Sequence, residues 1–415
     1  MGISNARRAV LAFAFAAGVS VSALAGVPLS AAGTPSWRVD LVVHPPAPYP
    51  ARDTVMITSV TAPGRNDVWA AGAVSSTSSR TSPPVILHWN GRMWRTVRPA
   101  APIATDTGQF EIAASGSADV WVFNQALSLR SGGRPAWAHW NGRAWAHGSV
   151  PVPVVSSSEG VLITSAVAPK ADDVWAGGTI NDPDTPTGLP GIPFLMNYNG
   201  RTWRFYKLAS ASDSLPAVTG MSALGPDDIW ALVSPAGPLF GVGVPDPENL
   251  LLHWNGRSWQ RILLKPGQAP QGEFYDIVAE SARGAWVTGT VHKAGPHGGT
   301  WSPAAAYWNG SRWKVVTAAA PYSLTSAVSD GHDGLWAVSQ PEYSPQAELD
   351  PPTGFWHYAN GRWTHVPVAV NGWDIVVQLA HAPGTGSVWA AGSALRSGPG
   401  SVPPGPATGL IFSSG

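Results

Sequence analysis

Three carboxylates, Glu111, Glu273 and Asp276, open stretches of β-rich sequence, and two tryptophans, Trp301 and Trp373, stand outside every repeated pattern in the chain. Paired carboxylates can do acid/base work on a glycosidic bond, provided that the fold sets them at the right separation. An indole outside a packed core offers a flat apolar face for a ligand such as a sugar ring. Asp246 and Glu248 flank Pro247, Asp182 and Asp184 flank Pro183, and Glu342, Glu348 and Asp350 share one stretch. Oxygen-rich groups of this kind can hold Ca²⁺, but none has the EF-hand spacing, and solvated surface charge accounts for them more simply. His292 and His297 lie in one glycine-rich stretch with no evident third metal ligand. No catalytic set, metal or cofactor is expected from these residues.

The elements that must position them are repeats. Asp67-Val68-Trp69 is echoed at Trp121, Trp175, Trp230, Trp286, Trp336 and Trp389, at intervals of 50 to 56 residues. A second phrase, His88-Trp89-Asn90-Gly91-Arg92-Met93-Trp94, alternates with it and recurs as Trp140/Trp145, Tyr198/Trp203, Trp254/Trp259, Trp308/Trp313 and Tyr358/Trp363. A fixed period of this length, built from strand and turn chemistry, is the signature of a β-propeller. In the first unit, strands are predicted near 55–61, 68–73, 85–89 and 94–97, which makes one four-stranded antiparallel blade. Asn90-Gly91 joins the last two, and Asn-Gly is favoured in two-residue hairpin turns because both residues reach positive φ. A small residue stands seven positions before each Trp of the first phrase, from Ala62 to Ala382, as expected where blades crowd toward an axis.

Seven copies of the first phrase face only six of the second. The chain ends in a third strand near Gly409-Leu410-Ile411-Phe412, and Ser36-Trp37-Arg38-Val39-Asp40-Leu41 reads as the missing fourth. The expectation is therefore an all-β, single seven-bladed propeller over residues 33–415, closed by an N-terminal strand at about 36–42 that completes the last blade and hides both edges.

The order Asp-Val-Trp-Ala-Ala-Gly, loop, Leu-His-Trp-Asn-Gly-Arg-Met-Trp resembles the kelch layout of the galactose oxidase central domain, in a secreted bacterial form. The glycine of that layout is present at Gly72, Gly178, Gly289 and Gly392, and replaced at Asn124, Val233 and Ser339. A weaker likeness runs to propeller lectins, which bind sugars between blades, and to Asp-box propellers, although Trp89 stands where the Asp-box has Asp. The kelch resemblance implies a fold more than an activity. A copper site of the galactose oxidase type is not implied, because its crosslinked cofactor needs a cysteine and the chain has none.

Four of the 22 tryptophans, Trp137, Trp301, Trp356 and Trp373, fall off the repeat grid. The others recur blade by blade and read as inter-blade packing. Of the off-grid four, Trp301 is expected in a loop and Trp373 just before a first strand. Connections from strand two to three and from each blade to the next carry the insertions, so one face of the ring is the long-loop face, where binding residues tend to sit. Asp246 and Glu248 belong to it.

Composition narrows the partners. The formal net charge is zero and only 12% of residues are charged, so there is no basic stripe for nucleic acid. Residues 1–32, with Arg7 and Arg8 before an apolar run and small residues at Ala23-Leu24-Ala25 and Ser30-Ala31-Ala32, read as a signal peptide cleaved near Ala25 or Ala32. The expected product is a secreted, monomeric, non-catalytic binding or scaffold propeller for an extracellular protein or glycan, without membrane insertion after cleavage. A lectin and, behind it, a carboxylate-based glycan hydrolase or lyase are the alternatives.

Overall fold

A computed structural model describes residues 21–23, 36–45, 53–75, 82, 84–98, 103, 108–125, 135–153, 160–181, 191–208, 216–235, 249–262, 270–295, 299–339, 354–368, 373–395 and 407–414. Within them the chain forms seven antiparallel sheets, six of four strands and one of five. The first strands of the seven blades are Thr54–Gly64, Phe110–Gly116, Gly160–Lys170, Pro216–Gly225, Gly272–Ser281, Leu324–Ser329 and Trp373–His381. Each touches its counterpart in the next blade, and the seventh touches the first, so these strands line the axis of a closed ring. The all-β seven-bladed architecture read from the repeats is the observed one.

Closure also follows the expected route. Trp37–Val43 pairs antiparallel with Ala407–Ser414 and becomes the fourth strand of blade seven, with Trp37 opposite Ser414 and Val43 opposite Gly409. A fifth strand, Val21–Ala23, lies on the outer edge of Trp37–Val43.

The recurrent tryptophans are packing residues. Those of the first phrase are 5% exposed or less. The Trp that closes the second phrase reaches back to the preceding blade and meets its first-phrase Trp nearly edge-on: Trp203 to Trp121 at 5.7 Å, Trp259 to Trp175 at 5.2 Å, Trp94 to Trp389 at 5.7 Å and Trp37 to Trp336 at 5.3 Å. Perpendicular aromatic pairs of this kind add about 0.5–1.5 kcal/mol each beyond the area they bury. Trp37 also stacks on Phe355 at 3.7 Å, which anchors the closing strand.

The hairpins correct one expectation. In five blades only the glycine (Gly91, Gly142, Gly200, Gly256, Gly310) has positive φ, and the asparagine before it serves as an acceptor instead. Asn90 Oδ1 takes the backbone N–H groups of Arg92 and Met93, both at 3.1 Å, and Asn141, Asn199, Asn255 and Asn309 do the same. These are four-residue, side-chain-capped loops. Blade six alone has the tight two-residue turn, with Asn360 at φ 52° and Gly361 at φ 79°.

Candidate functional site

The innermost strands bring seven residues to one level around the axis: Ser59, Glu111, Ser165, Gly220, Asp276, Ser326 and Gln378. Each pairs with the residue two beyond its blade's first-phrase Trp. Their polar side chains join neighbouring blades. Ser59 Oγ accepts Ile112 N at 3.0 Å, Asp276 Oδ2 accepts Ala327 N at 2.9 Å, Ser326 Oγ accepts Leu379 N at 3.2 Å, and Gln378 Oε1 accepts Val60 N at 2.7 Å. In every case the donor is the N–H just after the ring residue of the following blade. A β-bulge beside this position in blades one, three, four, five, six and seven interrupts the strand pairing there. The belt supplies acceptors near axial backbone groups that would be costly to bury unpaired.

Two of the sequence-predicted carboxylates, Glu111 and Asp276, are members of this belt. Glu111 Oε2 lies 3.3 Å from the Ser59 hydroxyl and 3.4 Å from Gln378 Nε2. Burial pushes its carboxyl up to about 8, against the pull of those two hydrogen bonds, and the charge on Asp276 raises it further. Asp276 accepts Ile277 N at 2.8 Å and Ala327 N at 2.9 Å, with Ser326 Oγ at 3.3 Å, and burial lifts it to about 6. Both groups thus serve the scaffold, and the hydrogen bonds that hold them tie one blade to the next.

Glu273 lies elsewhere, second in its strand and nearer the long-loop rim, where Tyr275 OH donates to its Oε2 at 3.0 Å. Asp246 and Glu248 lie outside the described residues, as do Asp182, Asp184, Glu342, Glu348 and Asp350. Trp373 begins the first strand of blade seven, opposite Leu395, rather than preceding it. Trp301 is not in a loop. It belongs to the strand Thr300–Trp308, paired with His292, because strands two and three of blade five run on as a ribbon through Lys293↔Thr300. It is 50% exposed, and its ring lies 4.9 Å from that of His292 at an interplanar angle of 35°. Trp137 and Trp356 are interior by comparison: Trp137 packs against Trp121 and Trp203, and Trp356 is buried.

A second polar system, not among the residues singled out from the sequence, is built on the aspartates that open the first phrase. In three blades their partner is the histidine of the third strand: His88 meets Asp67 at 2.8 Å, His139 Asp119 at 2.7 Å and His253 Asp228 at 2.8 Å, while in blade six His357 meets Asp330, six residues before Trp336, at 2.9 Å. Each of these imidazoles stacks on the first-phrase indole at 3.9–4.5 Å. Burial alone would raise Asp119 and Asp330, but bonds from His139 and Ser115 to one, and from His357 and two backbone N–H groups to the other, hold both below the usual carboxylate range. Blade three has Asn197 in the histidine's place, and there burial prevails and Asp173 is raised.

Asp119, His139 and Asp172 bring three potential metal-ligating atoms within 4.8 Å of one another. Asp119 already bonds His139, Ser115 at 2.6 Å and the indole of Trp121 at 3.2 Å. The same Asp–His pair recurs in three other blades, so blade packing explains it.

No protein-family model matches the chain, and no curated protein does. Similar solved structures include an acylaminoacyl peptidase in complex with Z-Gly-Gly-Phe-chloromethyl ketone, at a TM-score of 0.50 and 8% identity over 86% of this chain and 51% of that one. YCF48 bound to D1 peptide aligns at 0.49 and 10% identity over 95% and 99% of the two chains. The SapL1 lectin in complex with alpha methyl fucoside aligns at 0.42 and 13% identity over 75% and 95%. The chain spans about half the length of the peptidase, and likeness at such identities concerns fold alone.

Proposed function

We propose that this propeller is a secreted, non-catalytic binding module, kelch-like in layout, whose long-loop face engages an extracellular protein or glycan. The observation that carries the reading is Trp301, a half-exposed tryptophan held on an extended ribbon at that face, in a chain whose described repeat tryptophans are packing residues. A large exposed aromatic on a rigid strand pair presents contact area at small entropic cost on binding. The fate of Glu111 and Asp276 supports it further, since carboxylates tied into the inter-blade belt are poorly placed to exchange protons with a substrate. The N-terminal Arg-Arg, apolar run and small-residue sites support export.

The test separates faces by cross-linking. Lys293 lies on the long-loop side, and Lys170, at the far end of a first strand, lies on the opposite side with its side chain 60% exposed. A protein partner captured from culture medium is expected to cross-link through Lys293 and not through Lys170, and a glycan ligand to block modification of Lys293 selectively. A partner joined through Lys170 contradicts the proposal. So does turnover of a polysaccharide that disappears in Glu111→Gln or Glu273→Gln.

A further inference from the structure

Pairing along blade five places its rim residues in rows. Residues directly opposite each other, and those two positions along, share one face of a sheet. Gln271, whose carbonyl accepts His292 N at 2.8 Å, forms one row with His292 and Trp301. Glu273, Thr290 and Pro303 form the next row inward. Ala305, further along the same face, packs with Leu324 and Ala337 of blade six, so the face looks onto the seam between blades five and six. At its outer end the face turns from apolar packing to a polar rim with an exposed indole.

We propose that this rim is a subsite for a neutral oligosaccharide, one pyranose lying with its C–H face on Trp301 and a linked residue presenting hydroxyls to Glu273. The inference rests on the reading of the chain as a binding module and names the ligand class of that face. The chemistry of each row argues for it. Trp301 has an open indole already oriented by its contact with His292, so little ordering is left to occur on binding. Glu273 is a hydrogen-bond acceptor held by Tyr275, and Gln271 adds an exposed amide that both donates and accepts, a set suited to vicinal hydroxyls. Two strand spacings and a two-residue step put the Cα atoms of Glu273 and Trp301 about 12 Å apart, a span that two linked sugars bridge and one does not. Neither row contains Lys or Arg, and Lys293, paired with Thr300 one residue away, falls on the opposite face. The rim therefore favours a neutral glycan over a uronate or a sulfated one.

Calorimetric titration of the full chain with cellohexaose, xylohexaose and mannohexaose, and with a hyaluronan hexasaccharide as the acidic counterpart, tests the proposal. At least one neutral hexasaccharide is expected to bind, and its monosaccharide far more weakly. Trp301→Ala should weaken that affinity tenfold or more, Trp301→Phe should recover most of it, and Glu273→Gln should cost several-fold, all with unchanged unfolding temperature. Equal affinity in Trp301→Ala, or binding of the acidic oligosaccharide alone, overturns the subsite. If no neutral glycan binds while a protein partner still cross-links through Lys293, the subsite falls and the binding-module reading stands. If neither binds, both fall.

Discussion

Asp276 fills the space that a side chain on Gly220 would need: a Cβ built on Gly220 would lie 2.7 Å from Asp276 Oδ1. The two hold the same ring position in adjacent blades. At four seams the ring residue of one blade (Ser59, Asp276, Ser326 or Gln378) offers an acceptor to the N–H of the next, and glycine cannot. Asp276 compensates by turning one carboxylate oxygen onto its own neighbour, Ile277 N, and the other onto Ala327 N. One carboxylate thereby serves two seams.

Exchange at this pair should be coupled. Gly220→Ser alone is expected to destabilise by about 1–3 kcal/mol through overpacking. Asp276→Ser alone should cost a similar amount by leaving Ile277 N without its acceptor. Together the two changes restore the arrangement seen at Ser59 and Ser326, so urea unfolding of the double variant should show a loss smaller than the sum by about 1–2 kcal/mol. Strict additivity would refute the shared role.

Glu111 should make the folded ring lose stability as pH rises from mildly acidic through neutral. Its carboxyl stands at about 8 in the fold against an ordinary 4.5, so between those values the folded chain binds more protons than the unfolded one. The stabilisation is complete below about 4.5 and is lost as pH rises through 8. Glu111→Gln, which keeps the shape without the charge, should flatten the fall in unfolding temperature between pH 5 and pH 8. Parallel curves for the two proteins would show that the carboxyl is not buried as described.

The Asp119–His139 and Asp330–His357 pairs act at the acid end with the opposite sign. Asp119 is held below its ordinary 3.8, so its contribution is present above that value and lost as pH falls through the folded one. Replacing His139 with Asn reproduces the partner that blade three uses. The Asp119 carboxyl, followed by NMR titration in His139→Asn, should then move from below its ordinary value to above it, as at Asp173. The same change should lower stability at neutral pH by about 1–2 kcal/mol.

Trp37 is the largest anchor of the closing strand, beside the buried Leu41 and Val43. Trp37 is 6% exposed between Phe355 and Trp336. Trp37→Ala should cost about 3–5 kcal/mol and make residues 36–43 the first site of limited proteolysis. Trp301→Ala, by contrast, should leave the unfolding temperature within about a degree, since an exposed side chain contributes little to the core. Cleavage beginning elsewhere in Trp37→Ala would mean that the ring opens at another seam.

Much of the fold was legible because the repeat restates each packing problem seven times. The count of seven against six located the closure, and the seven buried first-phrase tryptophans agree with the reading of recurrent aromatics as core. The belt is legible in the spacing too. Ser59, Glu111, Ser165, Gly220, Asp276 and Ser326 each stand ten residues before their blade's first-phrase Trp, and Gln378 eleven. Residue type makes Glu111 and Asp276 candidates for acid/base work, whereas the column they share with serines and a glutamine marks them as variants of a joint.

Local order, being short in range, was set by the chain itself: strand period and turn asparagines follow from patterns within about fifty residues, and counting the repeat along the chain gives the blade count and the partner of the last strand. The tertiary structure alone decided which polar groups meet. Glu111 and Gln378 lie 267 positions apart and touch only because the ring closes, and burial there, rather than residue type, gives the carboxyl its proton. Trp301 likewise became an exposed platform through the extra pairs that prolong one ribbon beyond the ring, a length that strand propensity does not specify.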